Sequence, residues 1–166
     1  KHELLAALQD LLSSAISKYR EELRDRVETE ATKVFLEMRS DPDFVGLKIN
    51  ADYGLSILNQ DGELEPQRSS AYEHIVALSL VAALQRCAPV RGPIFMDMPF
   101  ARLDPDHTQQ TLKAMPGIAD QMILIVHEGE INPEQAADAL GAELVLERKL
   151  IRQSSRHSKI MKLEEL

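Results

Sequence analysis

Residues 93–105 read Pro-Ile-Phe-Met-Asp-Met-Pro-Phe-Ala-Arg-Leu-Asp-Pro. Ile94 to Met96 form a short apolar run closed by an acid, Asp97, the mark of a buried strand. Asp104-Pro105 is a helix start: an Asp that accepts at the N-cap, then Pro at the first helical position. The same order recurs downstream. Met122-Ile-Leu-Ile-Val126 is a second apolar strand, followed at once by His127. Asn132-Pro133 caps a further helix, which Gly141 closes, and Leu144–Leu146 reads as a last short strand. Strands alternating with helices imply an α/β fold with a parallel sheet and right-handed crossovers. In such sheets functional groups sit at the carboxyl ends of strands. Asp97 and His127 are therefore expected side by side on one rim.

Upstream, residues 1–38 contain neither Gly nor Pro. Their apolar positions Leu4, Leu8, Leu12, Ile16, Tyr19, Leu23, Val27, Ala31, Val34 and Met38 step by four and three, which predicts one amphipathic helix. At ~1.5 Å per residue it would be about 57 Å long. It reads either as a core helix of a bundle or as the returning arm of a coiled coil entering a head. The stripe keeps no strict heptad, as expected where an arm merges with a globular body. Ser40-Asp-Pro-Asp43 ends it. Apolar or small residues then fall on alternate positions (Val45, Leu47, Ile49, Ala51, Tyr53, Leu55, Ile57), which predicts a strand with one buried face, with Asn50–Asp52 as a possible break. Asn59-Gln-Asp-Gly62 is a turn. Residues 71–88 read as a buried helix.

The 166 residues suit one domain with a real core. Apolar and charged shares of 44% and 28% describe a soluble globular chain, and no apolar run can span a bilayer. No secretory signal is present, and a chain beginning at Lys1 reads as lacking its natural start. The lone Cys87 has no disulfide partner, so a reducing, cytoplasmic setting is expected. A net charge of −8 argues against the whole surface wrapping nucleic acid. It leaves room for a local patch: Arg148, Lys149, Arg152, Arg156, Lys159 and Lys162 could meet phosphates or form a solvated face.

Asp97 alone could be a strand-end cap. A carboxylate there can also hold Mg²⁺ facing a nucleotide's phosphates. Its neighbours raise the specificity: Ser69-Ser-Ala-Tyr-Glu73 opens a helix upstream, Ala101-Arg-Leu-Asp104 follows, and His127 ends the next strand. Asp104, Asp106 and His107 could resemble a metal cluster, but capping by Asp104 explains them. Ser154, Ser155, His157 and Ser158 read as a polar loop.

This order resembles the C-terminal half of ABC-type ATPases of the SMC and RecF class, and looks closest to DndD-like coiled-coil ATPases. The resemblance spans roughly residues 30 to 150. It implies a division into an arm end over residues 1–38 and a C-terminal head lobe over 39–166. It implies ATP and Mg²⁺ as cofactors, Asp97 as the Walker B acid and metal ligand, and His127 as the switch histidine. Residues Ala101 to Asp104 would be the D-loop, with Asp104 near the nucleotide. Ser69, Ser70, Ala71, Tyr72 and Glu73 would be the signature, with Ser70 touching the partner head's γ-phosphate. A helix N-terminus with a serine hydroxyl suits that anion. The implied partners are the N-terminal lobe of the same ATPase, a second head, DNA and accessory subunits, with no membrane.

Two positions depart from the pattern. Ala71 and Tyr72 replace paired glycines that let backbone approach phosphate, so Tyr72 should crowd that approach or stack on something. Met98 stands where many ABC ATPases carry a catalytic Glu, which leaves Glu128 as the nearest candidate base by sequence. None of the 7 glycines precedes a Lys, so the chain holds no G-x-x-x-x-G-K-[ST] phosphate loop. In this class that loop lies in an N-terminal lobe, and the chain reads as one piece of a head. The leading function is ATP hydrolysis between two heads, moving coiled coils on DNA in repair, maintenance or antiphage defence. The alternatives are a nucleotide-gated clamp with little hydrolysis and an unrelated α/β interaction module.

Overall fold

The computed structural model describes residues 2–66, 68–127, 129–141, 149–154 and 157–162. Helix α1, His2–Met38, is unbroken, as the absence of Gly and Pro dictates. Its two halves differ. Leu4, Leu8, Leu12, Ile16 and Tyr19 are exposed, whereas Val27, Ala31, Val34, Phe35 and Met38 are buried. The helix thus projects at one end and forms the floor of the core at the other.

Strands β1, Phe44–Ile49, and β2, Leu55–Asn59, form an antiparallel hairpin pairing Leu47 with Ile57 and Ile49 with Leu55. The alternating run is therefore two strands, broken at the Asn50–Asp52 position. Asn50 Oδ1 accepts from the N–H groups of Asp52 and Gly54 at 3.0 and 2.7 Å, and Tyr53 turns the chain at φ 62°. Local side-chain bonding there competes with the ladder and wins. Tyr53, expected on the buried face, is exposed for the same reason.

Helix α1 covers the free edge of β1. Thr32 Oγ1 accepts from Leu47 N and donates to Leu47 O, at 3.1 and 3.2 Å. Glu28 accepts from Ile49 N at 2.7 Å and from Lys48 Nζ at 2.8 Å. Side chains thereby satisfy groups that an edge strand would leave open. Gly46 permits the approach: a Cβ there would lie 3.0 Å from Thr32 Cγ2.

Helix α2, Ser70–Cys87, packs on α1 through Ile75, Val76, Leu78, Ala82 and Ala83. It is buried on one face only, since Val81 and Leu84 are exposed. Strands β3, Ile94–Asp97, and β4, Met122–Ile125, then pair in parallel, with α3, Pro105–Ala114, and a short 3₁₀ turn as the crossover. Helix α4, Pro133–Leu140, follows with Asn132 as its N-cap. Both Pro-initiated helices begin where the caps predict.

One face of the β3–β4 pair joins the core through Met96, flanked by half-buried Ile94, Met122 and Leu124. The other face is open: Phe95 is 67% exposed, Ile123 37% and Ile125 47%. Strands β5, Lys149–Ser154, and β6, His157–Lys162, form an antiparallel hairpin. Ser154, His157 and Ser158, expected in a polar loop, thus belong to strands. Adjacent apolar residues in the sequence, Leu150 with Ile151 and Ile160 with Met161, blur any period of two. The expected strand Leu144–Leu146 lies outside the described residues. Among the described residues no helix is long and apolar enough to cross a membrane.

Candidate functional site

Two parallel strands of equal register bring their carboxyl ends together. Asp97 stands opposite Ile125, and Met98 N extends the ladder by donating to Ile125 O at 2.8 Å. His127 follows two residues later, so both sequence-derived residues occupy one rim. Both are exposed, and among the described residues neither side chain has a protein hydrogen-bond partner. A free carboxylate at a strand end fits Mg²⁺, which keeps several waters and takes one or two carboxylates beside phosphate oxygens. No group of three or more potential ligands occurs among the described residues.

Met98 departs from ordinary backbone, at φ 50°. A left-handed non-glycine residue costs ~1–2 kcal/mol and concentrates where a site dictates geometry. Here it bends the chain sharply away from Asp97. The bend continues as two overlapping turns, Ala101 N to Met98 O at 3.4 Å and Leu103 N to Phe100 O at 2.9 Å. Phe100 anchors them in the core, 2% exposed.

The helix-opening Ser69–Glu73 lies beside this bend. Ser69 caps α2, its hydroxyl accepting from Tyr72 N at 3.3 Å, while Ser70 and Glu73 are exposed. Among the described residues no hydrogen bond joins these residues directly to Asp97 or His127. The link runs through His74, one residue further on, whose Nε2 donates to Pro99 O at 2.6 Å.

Tyr72 stacks rather than crowds. Its ring packs edge-on against Phe44 and His107, with centroids 4.7 and 5.3 Å away, and tilts toward Phe35. Its hydroxyl accepts from Asp41 N at 2.9 Å and lies 3.3 Å from Ser40 Oγ. His107 continues the line. Its Nδ1 lies 2.7 Å from Asp104 Oδ2, and its Nε2 lies 2.7 Å from Ser40 Oγ. A carboxylate only accepts, so Nδ1 carries the hydrogen and, in the neutral ring, Nε2 accepts from Ser40. The line ties the end of α1 to the starts of α2 and α3.

Asp104 caps α3 by accepting from His107 N at 2.9 Å. That bond, then the one to the His107 ring, holds the Asp104 carboxyl below the usual carboxylate range. Both of its oxygens are thus committed to His107, which accounts for Asp104 without a metal cluster.

Glu130 escaped the sequence reading. Oε1 accepts from Phe100 N at 2.6 Å and Oε2 from His127 N at 3.2 Å. Glu130 N also donates to His127 O at 3.1 Å, closing a β-turn whose third residue, Gly129, has φ 94°. The spacing His-x-Gly-Glu is the one available signal, since Gly suits the third position of a type II turn. Nothing in the sequence says that the Glu also reaches Phe100. Glu128, the sequence-derived candidate base, lies outside the described residues. A groove of about 500 Å³ lined by Arg26, Glu30, Arg86, Cys87 and Arg91 contains none of the rim residues.

The sequence matches no known family profile and no curated protein. Solved structures do match. The SMC head domain from Thermotoga maritima superposes with a TM-score of 0.57 at 16% identity, over 83% of this chain and 47% of that one. This chain therefore spans about half of that head. A structure described under ATP-driven dimerization and DNA-stimulated activation of SMC ATPases gives 0.61 at 17% identity, over 89% of this chain and 88% of that one. An SMC head with an extended coiled coil, bound to the C-terminal domain of ScpA and derived from Pyrococcus furiosus, gives 0.55 at 20% identity, over 98% and 43%. The fold is that of part of an SMC-type ATPase head, an α/β body with a parallel strand pair and flanking helices, entered by a long helix.

Proposed function

We propose that this chain is the C-terminal lobe of an SMC-like coiled-coil ATPase, of the DndD-like kind, that binds and hydrolyses ATP between two heads. The observation that carries the reading is the shared rim. Asp97 ends one of two adjacent parallel strands and His127 follows the other, and among the described residues neither side chain has a hydrogen-bond partner. Residues 1–38 would be the end of the coiled-coil arm and 39–166 the lobe.

Mg²⁺-bound ATP supplies the phosphoryl group and a cation that neutralises its charge. Asp97 would hold the metal. His127 would bond the γ-phosphate and orient a water for attack. Ser69 to Glu73 present a helix N-terminus to the other head's phosphates, with Ser70 foremost. Tyr72 is drawn into the core, which leaves that end of the helix open despite the lost glycines. Asp104 keeps the D-loop end rigid by capping α3.

The open face of β3 and β4 supports the partner assignment. Parallel sheets are covered on both faces, and the N-terminal lobe carrying the phosphate loop would cover Phe95, Ile123 and Ile125. Exposed Leu4 to Tyr19 would pair with the outgoing arm. A second copy of the head, DNA and accessory subunits complete the assembly in the cytoplasm, serving DNA repair, maintenance or antiphage defence. Met98 favours a second reading, a nucleotide-gated clamp with little hydrolysis, because no carboxylate follows Asp97.

His127→Ala in the full-length protein separates the two. A positioned polar group is worth roughly 10²-fold, so single-turnover hydrolysis per bound ATP should fall by about that factor while binding changes little. A strand cap alone would lower stability and leave the rate constant intact, which supports the clamp.

A further inference from the structure

We propose that Glu130 is a positioning residue that sets the switch histidine against the turn after Asp97, through one clamped peptide. The inference rests on the ATPase reading of Asp97 and His127. The peptide unit between Pro99 and Phe100 is held from both sides. Its carbonyl accepts from His74 Nε2 at 2.6 Å, and its N–H donates to Glu130 Oε1 at 2.6 Å. The other Glu130 oxygen accepts from His127 N at 3.2 Å. One line therefore runs from the first turns of α2, through a single peptide, to the residue that ends β4's rim.

The chemistry is specific. A carboxylate accepts two backbone N–H groups at once, and charge-assisted bonds of this kind are short and strong. Both tethers orient the same amide, so rotating that peptide would break both, and the bonds along the line polarise one another. His127 is further fixed because the Glu130 N–H closes its turn. The His127 side chain is exposed and has no hydrogen-bond partner among the described residues, so its backbone sets where it stands. Misplacement of a reacting geometry by an ångström can cost ~10²-fold, so the brace acts on rate more than on nucleotide affinity. It also connects the signature end of the head to the residue beside its own nucleotide.

The test uses the full-length protein and three substitutions. Glu130→Ala removes both acceptors and should slow single-turnover hydrolysis by about tenfold or more, with ATP affinity within about threefold. Glu130→Asp keeps the charge but is too short to span both donors, and should be slow as well. Glu130→Gln keeps one acceptor but sets a donor NH2 against the other backbone N–H, so one side of the brace is lost and hydrolysis should fall between native and Glu130→Ala. The Glu130→Ala, His127→Ala double variant should be no slower than His127→Ala alone, because the two act as one unit. Without nucleotide, amide exchange at Phe100 and His127 should accelerate in Glu130→Ala and less in Glu130→Gln.

Native rates in Glu130→Ala or Glu130→Asp, alongside a slow His127→Ala, would overturn the positioning role and leave the ATPase reading standing. A slow Glu130→Gln or Glu130→Ala with native amide exchange at Phe100 and His127 would make Glu130 the proton acceptor instead, and the proposal would fall. Native rates in both Asp97→Ala and His127→Ala would remove the ATPase reading itself.

Discussion

The two halves of this molecule are finished to different degrees. In the first, α1, the β1–β2 hairpin and α2 close around Phe35, Met38, Leu47, Ile57 and Ile75, and helix side chains satisfy the edge of β1. In the second, β3 and β4 bury one face and expose the other, while Met98 sits in left-handed backbone near Asp97 and His127, whose side chains have no hydrogen-bond partner among the described residues. The first half is closed on itself at the hairpin edge, and shares one core with Met96, Phe100, Leu112 and Met115 of the second. The second has the features of half a layer, with its strain gathered where chemistry is proposed. Stability and function are thereby separated in space, and substitutions should separate them too.

The largest effect on folding belongs to the closed half. Phe35→Ala empties a fully buried site and should cost ~3–5 kcal/mol, read as a shifted denaturant midpoint. A cost under 1 kcal/mol would mean that α1 is not the floor of the core. Asp97→Ala is the counterpart in the open half. It should leave the midpoint within about 0.5 kcal/mol and reduce Mg²⁺-dependent turnover of the full-length protein by on the order of 10²–10³-fold. Turnover within about threefold of native would deny Asp97 the Walker B role.

A smaller effect sits at the junction. Asp104 is a lowered carboxyl, held first by His107 N and then by the His107 ring. Its stabilising contribution is present above the ordinary carboxylate range and is lost as pH falls through its depressed native value. Asp104→Ala should cost about 1 kcal/mol at neutral pH, the usual worth of an N-cap, and less in strong acid, where only a neutral cap remains. A pH-independent cost would leave the cap without an electrostatic part.

The same division governs what was legible in the sequence. Helix α1 and the capped starts at Asp104-Pro105 and Asn132-Pro133 were readable because each depends on neighbours along the chain. The shared rim of Asp97 and His127 followed from strand alternation alone. The sequence hid what depends on contacts between distant segments. Tyr72 turns inward because Phe44, Asp41 and His107 meet it there. Glu130 reaches back to Phe100 across the strand pair. The hairpin β5–β6 is hidden because its apolar residues fall in adjacent pairs, Leu150-Ile151 and Ile160-Met161, with no period of two. Met98 carries no mark of its backbone, since only the bend after Asp97 demands it.

The central claim is that the open half is one side of a nucleotide site whose other side lies on another lobe. Calorimetric titration of Mg²⁺-ATP tests it directly, first into this chain alone and then into the chain joined to its phosphate-loop lobe. The account predicts no tight binding by the chain alone and restored binding in the pair, because the phosphate loop supplies most phosphate contacts. Micromolar affinity (~10⁻⁶ M, about −8 kcal/mol) measured on the chain alone would contradict it.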